Sequence, residues 1–400
     1  MKTLITAICS LLLCTQAMGN NAVILGPDLE PVSVRLEAIT PNAIKVIDAQ
    51  VGERLLKPDE VLRLTFTRAD ASTPDPKRSV LTLRDGQVLV GKLVPSNDEE
   101  AVRLKIDADR VVQVSLDEML SLAVQADSAV PAIQEDDALL LVTGEVLLGF
   151  VETFTQDAIG FVIGDADDAI QIPLERITAL RIANKPEPTK VDPGTLRVTT
   201  ADGSVLLIKD ATTTNDESGG FLVGESTLPI LSSRRADEGV STEASTRLTM
   251  PMNRILTIEP VSTKAVLTSL AGVSWELAAG GEVFGVSMPP RVSSQGEIHL
   301  HAPVTVGFDL PDGASRLAFT VAMDLDESIP VSRRKMAGCE LVVYAGDEVI
   351  ARHALTHDGG TKRLNLALNS NDLRMVIEPG VNGPVLDRVV ITQAELLVSD

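Results

Sequence analysis

The chain has 400 residues, 35 Lys and Arg against 56 Asp and Glu, a formal net charge of −21, and only one Trp, one Tyr and eight Phe. That length exceeds what one compact core usually serves, so several domains are expected. The acidic balance excludes a nucleic-acid binder and a binder of anionic membrane surfaces, because both need clustered Lys and Arg.

Residues 1–19 read as a cleaved secretory signal. Lys2 gives a positive start, Leu4 to Cys14 is a short apolar run, and Ala17-Met18-Gly19 places small residues before Asn20. A run of about a dozen apolar residues cannot cross a hydrocarbon core that takes about 20, so no membrane span is expected. The string "LLLC" leaves lipidation at Cys14 open, although bulky Leu13 stands where such a site prefers a small residue. Removing this segment takes Cys9 and Cys14 and leaves only Cys339. The mature chain then has no internal disulfide, and its stability must come from apolar burial. The expected location is extracytoplasmic: periplasm, cell surface or secreted.

Internal repeats organise the first two-thirds. "KPDEVLRLTF" from Lys57, "SLDEMLSLAV" from Ser115, "PLERITALRI" from Pro173 and "PMNRILTIEP" from Pro251 share a polar lead followed by alternating apolar residues, at spacings of 58, 58 and 78. "VLTLRDGQVLVGKL", "LLLVTGEVLLGFV" and "LRVTTADGSVLLI" open three of the four, and Asp85-Gly86 and Asp202-Gly203 favour the positive φ of a hairpin turn. The opening unit has Leu29 where the others have that glycine. Each unit reads as a hairpin, a middle strand and a closing strand. Four β repeats are expected, over 20–70, 77–127, 136–184 and 194–261. The fourth carries a polar, flexible insertion at about 211–247. Proline-rich linkers lie at "STPDPKR" and "NKPEPTKVDPG". By pattern these short five-stranded units resemble Sm-like or SH3-like barrels.

Motifs for chemistry are sparse. The chain contains no Gly-rich phosphate loop, GxSxG, HExxH or CxxC. "SRRK" at Ser332 lacks the partner motifs of a penicillin-binding site. "DLDE", Asp324 to Glu327, clusters carboxylates of the kind glycoside hydrolysis uses, but sequence spacing does not supply the required separation. No catalytic residue, cofactor or metal is assigned, and the protein is expected not to be an enzyme.

From Ile298 to Leu310 every even position is apolar, while His299, His301, Pro303, Thr305, Gly307 and Asp309 occupy the odd ones. Alternation along a strand predicts one half-buried β segment with both histidines pointing outward together. Two imidazoles at that spacing can share an ion, but no third ligand is apparent: Asp309 is too far along a straight strand, and nothing brings His353 or His357 near. A solvent-facing or partner-facing polar pair is therefore expected. Trp275, followed in the strand by Leu277, is expected in the core.

Around these histidines the order of features resembles the NPCBM type of novel putative carbohydrate-binding module, over about Val266 to Leu397. His301-Ala302-Pro303 matches its His-Ala-Pro element, Asp309-Leu310-Pro311 its DLP turn, and Arg316-Leu317-Ala318-Phe319 through Asp324 its following strand. Gly346-Asp347 matches a hairpin with its order inverted. Val304 replaces a usual Ser, and the closing segment keeps Asp387 while Arg388, Val390 and Ile391 replace His, Asp and Trp. The resemblance implies a galactose-binding-like jelly-roll sandwich over 264–400 and a glycan-binding role. The resulting expectation is an all-β chain of tandem small β-barrel repeats followed by that sandwich. Its expected partner is a polysaccharide or an envelope protein, met through ligand-facing His299, His301, Asp324 and Asp387. The alternative is a structural or protein–protein interaction role without sugar binding.

Overall fold

The computed structural model describes residues 20–399 apart from 68–76, 95, 97, 108–109, 133–134, 156, 165, 167, 187–191, 193, 217–218, 233–243, 262–263 and 294. The expected signal segment, with Cys9 and Cys14, lies outside the described residues, as does most of the first proline-rich linker.

Among the described residues, the alternating apolar residues of the first two-thirds form twenty strands in four sets of five. The first set is β1 (Asn20–Leu25), β2 (Pro31–Thr40), β3 (Ala43–Asp48), β4 (Gly52–Leu56) and β5 (Arg63–Phe66). The second is β6 (Ser79–Leu83), β7 (Val88–Val94), β8 (Ala101–Lys105), β9 (Arg110–Ser115) and β10 (Met119–Ala123). The third is β11 (Asp137–Leu141), β12 (Val146–Phe154), β13 (Ala158–Ile163), β14 (Ile170–Pro173) and β15 (Ile177–Arg181). The fourth is β16 (Leu196–Thr200), β17 (Val205–Asp216), β18 (Gly219–Ser232), β19 (Ala244–Pro251) and β20 (Ile255–Pro260).

Pairing is the same in each set. The first strand lies between the second and the fifth, the second pairs with the third, and the third with the fourth. A one-turn 3-10 helix precedes every fifth strand, at Pro58–Glu60, Leu116–Glu118, Leu174–Arg176 and Met252–Arg254, which explains the shared polar lead of the repeat pattern. The second strand of the middle sets carries a glycine where a neighbouring strand's backbone approaches closely. A Cβ at Gly149 would meet the Val162 carbonyl oxygen at 1.9 Å, and one at Gly91 the Lys105 carbonyl oxygen at 2.5 Å.

Closing strands also pair across sets. Leu64 of β5 lies opposite Ile258 of β20, and Leu122 of β10 opposite Leu180 of β15. Leu64 and Ile258 at the first joint and Leu122 and Leu180 at the second are buried in one core that runs through all four sets. The first part of the insertion expected at about 211–247 is built as strand. "TTTND" extends β17, and its partner β18 runs to Ser232; residues 233–243 lie outside the described residues. β-branched threonines suit a strand, and Thr213 Oγ1 accepts the Ile39 N–H of β2 at 2.9 Å, tying the extension to the first set.

The hairpin turns show why Leu29 departs from glycine. Gly86, Gly144 and Gly203 sit at φ 81°, 83° and 90°. Leu29 holds the same turn position at φ 57°, donating its N–H to the Gly26 carbonyl as Gly86 donates to Leu83. A non-glycine residue there costs about 1–2 kcal/mol. The side chain offsets it: Leu29 is 0% exposed and packs with Leu25, Leu62, Ala318 and Leu397, the last two belonging to the C-terminal sandwich. Burying a leucine contributes about 1.5–3 kcal/mol.

The remaining strands build that sandwich. They are β21 (Ala265–Ser269), β22 (Trp275–Gly280), β23 (Glu282–Val283), β24 (Val286–Ser287), β25 (Arg291–Val292), β26 (Ile298–His301), β27 (Val304–Asp309) and β28 (Ala314–Met323). After them come β29 (Gly338–Ala345), β30 (Glu348–Thr356), β31 (Lys362–Ala367), β32 (Asp372–Pro379) and β33 (Arg388–Ser399). One sheet runs β25-β26-β33-β28-β31 with β21 also on β33, and the facing sheet runs β22-β27-β32-β29-β30. Leu317, Phe319 and Ile391 from the first meet Val306, Leu341 and Met375 from the second in a single core.

Two sequence expectations change here. The segment from Ile298 to Leu310 is not one strand: it breaks at Ala302-Pro303 and passes from one sheet to the other. Its even positions are nonetheless all buried, because both sheets face the same core. Trp275 is not a core residue; it is 38% exposed on β22, which among the described residues is an edge strand paired with β27 alone.

The docked leucine gives the first prediction. Leu29→Ala loses the packing and keeps the unfavourable φ, costing about 2–5 kcal/mol. Leu29→Gly loses the packing but relieves the backbone, so it is milder by about 1 kcal/mol despite the smaller side chain. Urea unfolding of both variants checks the order, and a Gly variant less stable than the Ala variant contradicts it.

Candidate functional site

The histidine-bearing strand β26 lies between β25 and β33, and cross-strand pairing sets what surrounds it. His299 is opposite Arg291, and His301 is opposite Arg388. Directly paired residues share a face, so two cations and two imidazoles gather at one side of the sheet. The turn after β28 adds Asp324, fixed by its own N–H to the Arg388 carbonyl at 2.8 Å. Met288 and Pro289, following β24, supply apolar wall. Together these residues line a cleft of about 290 Å³.

Hydrogen bonds orient both rings. His299 Nδ1 lies 3.0 Å from Asp324 Oδ2, and its Nε2 lies 3.6 Å from Glu297 Oε2. A carboxylate only accepts, so Nδ1 donates to Asp324. His301 Nδ1 lies 2.9 Å from the Ala302 carbonyl oxygen, which makes Nδ1 the donor and leaves Nε2 as an acceptor in the neutral ring. Asp326 stays outside this network. The Ser328 N–H binds its carboxylate, which together with the Ser328 side chain and the charge of Arg388 holds its pKa below the usual range.

The sequence-predicted residues are therefore placed unequally. His299, His301 and Asp324 come together in the cleft. His301 does not point outward to solvent: it is 7% exposed, and it lines the cleft with Met288 and Arg388. Asp387 does not face a ligand: it is 0% exposed, and its two carboxylate oxygens accept the N–H groups of Gly338 at 3.0 Å and Gly380 at 2.8 Å. It ties the start of β29 to the residue that follows β32. Arg291, Arg388, Met288 and Pro289 were missed by sequence reasoning. For Arg388 the signal was available, since it sits where the carbohydrate-binding pattern has another residue. Arg291 follows from strand pairing alone, which sequence does not reveal.

A larger cleft of about 600 Å³ lies between the second and third sets, edged by Glu100, Asp117, Glu135, Asp136 and Glu152. Its buried carboxylate, Asp137, is spent on the N–H groups of Val151 at 2.8 Å and Ala183 at 2.7 Å. Among the described residues no group of three or more His, Cys, Asp or Glu is arranged to hold a metal ion. Among them also, no helix is long and apolar enough to cross a membrane.

No family model matches the chain, and no curated protein matches it. Several solved structures are similar to it. The CBM51-2 and INT domains of Clostridium perfringens ZmpB match at 15% identity, covering 47% of this chain and 44% of that one, with a TM-score of 0.26. The CBM51 of a Clostridium perfringens GH95 protein, in complex with methyl-galactose, matches at 19% over 33% of this chain and 99% of its own, with a TM-score of 0.25. The tandem CBM51 modules of Sp3GH98 from Streptococcus pneumoniae match at 10% over 51% and 88%, with a TM-score of 0.25. This chain spans less than half the length of the first of these. At such values the likeness fixes neither fold nor ligand.

Cys339 is 5% exposed, and burial, with a further contribution from the Asp387 carboxylate, pushes its pKa up to about 12. The thiolate is the reactive form, so the folded thiol is inert at neutral pH. In a C9A/C14A chain, a thiol reagent at neutral pH is expected to label Cys339 roughly 100-fold or more slowly in buffer than in urea. Equal rates would mean that the sandwich core is open.

Proposed function

We propose that this chain is an extracytoplasmic, non-enzymatic glycan-binding protein whose saccharide site is the cleft of His299, His301, Asp324, Arg291 and Arg388. The observation that carries this reading is the cleft's mixture of fixed donors and acceptors beside an apolar wall. A sugar presents hydroxyls that both donate and accept, together with C–H faces that pack on apolar groups. Asp324 accepts, the arginines donate, the imidazoles are held in set orientations, and Met288 and Pro289 supply the apolar contact. The NPCBM-type motifs at His301-Ala302-Pro303 and Asp309-Leu310-Pro311 support the same reading. In it the domains are the signal segment 1–19, the repeats 20–70, 77–127, 136–184 and 194–261, and the sandwich 264–400, with the repeats as spacer.

Calorimetric titration of the full chain against a broad glycan panel tests the proposal. At least one saccharide is expected to bind. Asp324→Ala and Arg388→Ala are each expected to weaken that binding about 10- to 100-fold, since a hydrogen bond to a charged group contributes about 1.5–3 kcal/mol. A folded chain that binds no saccharide, or one whose binding ignores both substitutions, overturns the reading.

A further inference from the structure

Counting from the hairpin turn, the second strand of each set places three residues on its outer face. They are Pro31, Ser33 and Arg35 in the first set and Val88, Val90 and Lys92 in the second. In the third they are Val146, Leu148 and Phe150, and in the fourth Val205, Leu207 and Lys209. The first set is polar there, as a solvated strand should be. The second and fourth are apolar, and they cover one another: Val90 is 4% and Leu207 1% exposed. The third is the most apolar of the four, yet Val146 is 45%, Leu148 41% and Phe150 62% exposed.

The contact between the second and fourth sets shows how such a face is covered. Val88 pairs antiparallel with Val205, its counterpart in the repeat. Gln87 Oε1 accepts the Leu207 N–H at 2.9 Å, and Ser204 Oγ accepts the Val90 N–H at 3.0 Å. Gln87 and Ser204 hold the same repeat position, as do Val90 and Leu207. The contact is therefore reciprocal, an internal copy of the isologous interface that two identical subunits make about a two-fold axis. The third set has every part it needs: Val146 for the bridge, Glu145 as the acceptor and Leu148 as the donor.

We propose that the third set pairs with the third set of a second copy of this chain, in the manner in which the second set pairs with the fourth. Val146 lies opposite its own counterpart at the two-fold axis. Each Glu145 carboxylate accepts the Leu148 N–H of the other copy, and the two Phe150 side chains extend the apolar contact where the internal pair has Lys92 and Lys209. A contiguous exposed apolar face of this kind marks an association site. A homotypic partner accounts for an apolar face that the second and fourth sets bury against each other and the third leaves exposed. The inference does not depend on the saccharide cleft, which lies in the sandwich.

Sedimentation equilibrium of the full chain over a concentration series tests it. The expected result is a dimer of the 42.5 kDa chain. Leu148→Glu and Val146→Lys, both at exposed positions, are each expected to give the monomer mass with an unchanged circular dichroism spectrum. Ser33→Glu, at the matching position of the polar first set, is expected to leave the dimer intact. A wild-type chain that stays monomeric at every concentration overturns the proposal. So does any assembly that survives both third-set substitutions.

Discussion

Arg63 is the joint on which the arrangement depends. It lies on the closing strand of the first set, with Nε 2.5 Å from Glu259 Oε1 on the closing strand of the fourth. Its other arm binds Glu395 on β33 of the sandwich. Burial alone would lower its pKa, but the charges of Glu259 and then Glu395 outweigh it and hold the guanidinium above its ordinary range. A partly buried ion set is costly to desolvate, and removing one partner leaves the others uncompensated. Arg63 ties the first set, the fourth set and the sandwich at a single point.

Neighbouring contacts follow from that joint. Leu29 enters the sandwich beside Ala318 and Leu397, and Arg363 donates to the Leu29 carbonyl at 3.2 Å. Asn365 donates to the Asp28 carbonyl at 2.6 Å and to Glu30. The first hairpin turn, which in other sets is glycine and solvent or meets another repeat, has thus become the surface on which the sandwich sits. Divergence of one turn residue, from glycine to leucine, is the sequence mark of that role.

Much of the architecture was legible because it is local. Turn dipeptides and alternating residues define the hairpins, and parity from Ile298 to Leu310 places every even position in the core even across a change of sheet, failing only at His301, an odd position that is also buried. What was not legible is long-range. No periodicity says that β5 pairs with β20, that β10 pairs with β15, or that the threonines near 213 reach Ile39. Trp275 was misread for the same reason: its exposure follows from β22 lying at a sheet edge. At the site, His299, His301 and Asp324 were visible as polar residues in a patterned stretch. Arg291 appears only through its pairing with His299, and Asp387 withdrew into the interior because two glycine N–H groups needed an acceptor.

The central claim is that the sandwich is held on the repeats in one orientation. Pulsed electron resonance between spin labels at Val51→Cys and Val381→Cys measures it directly, with the three native cysteines replaced by alanine. Both positions are exposed, one on the first set and one on the sandwich. A single narrow distance distribution is predicted, broadening in Arg63→Ala. A broad or multiple distribution in the chain with Arg63 intact would contradict the account.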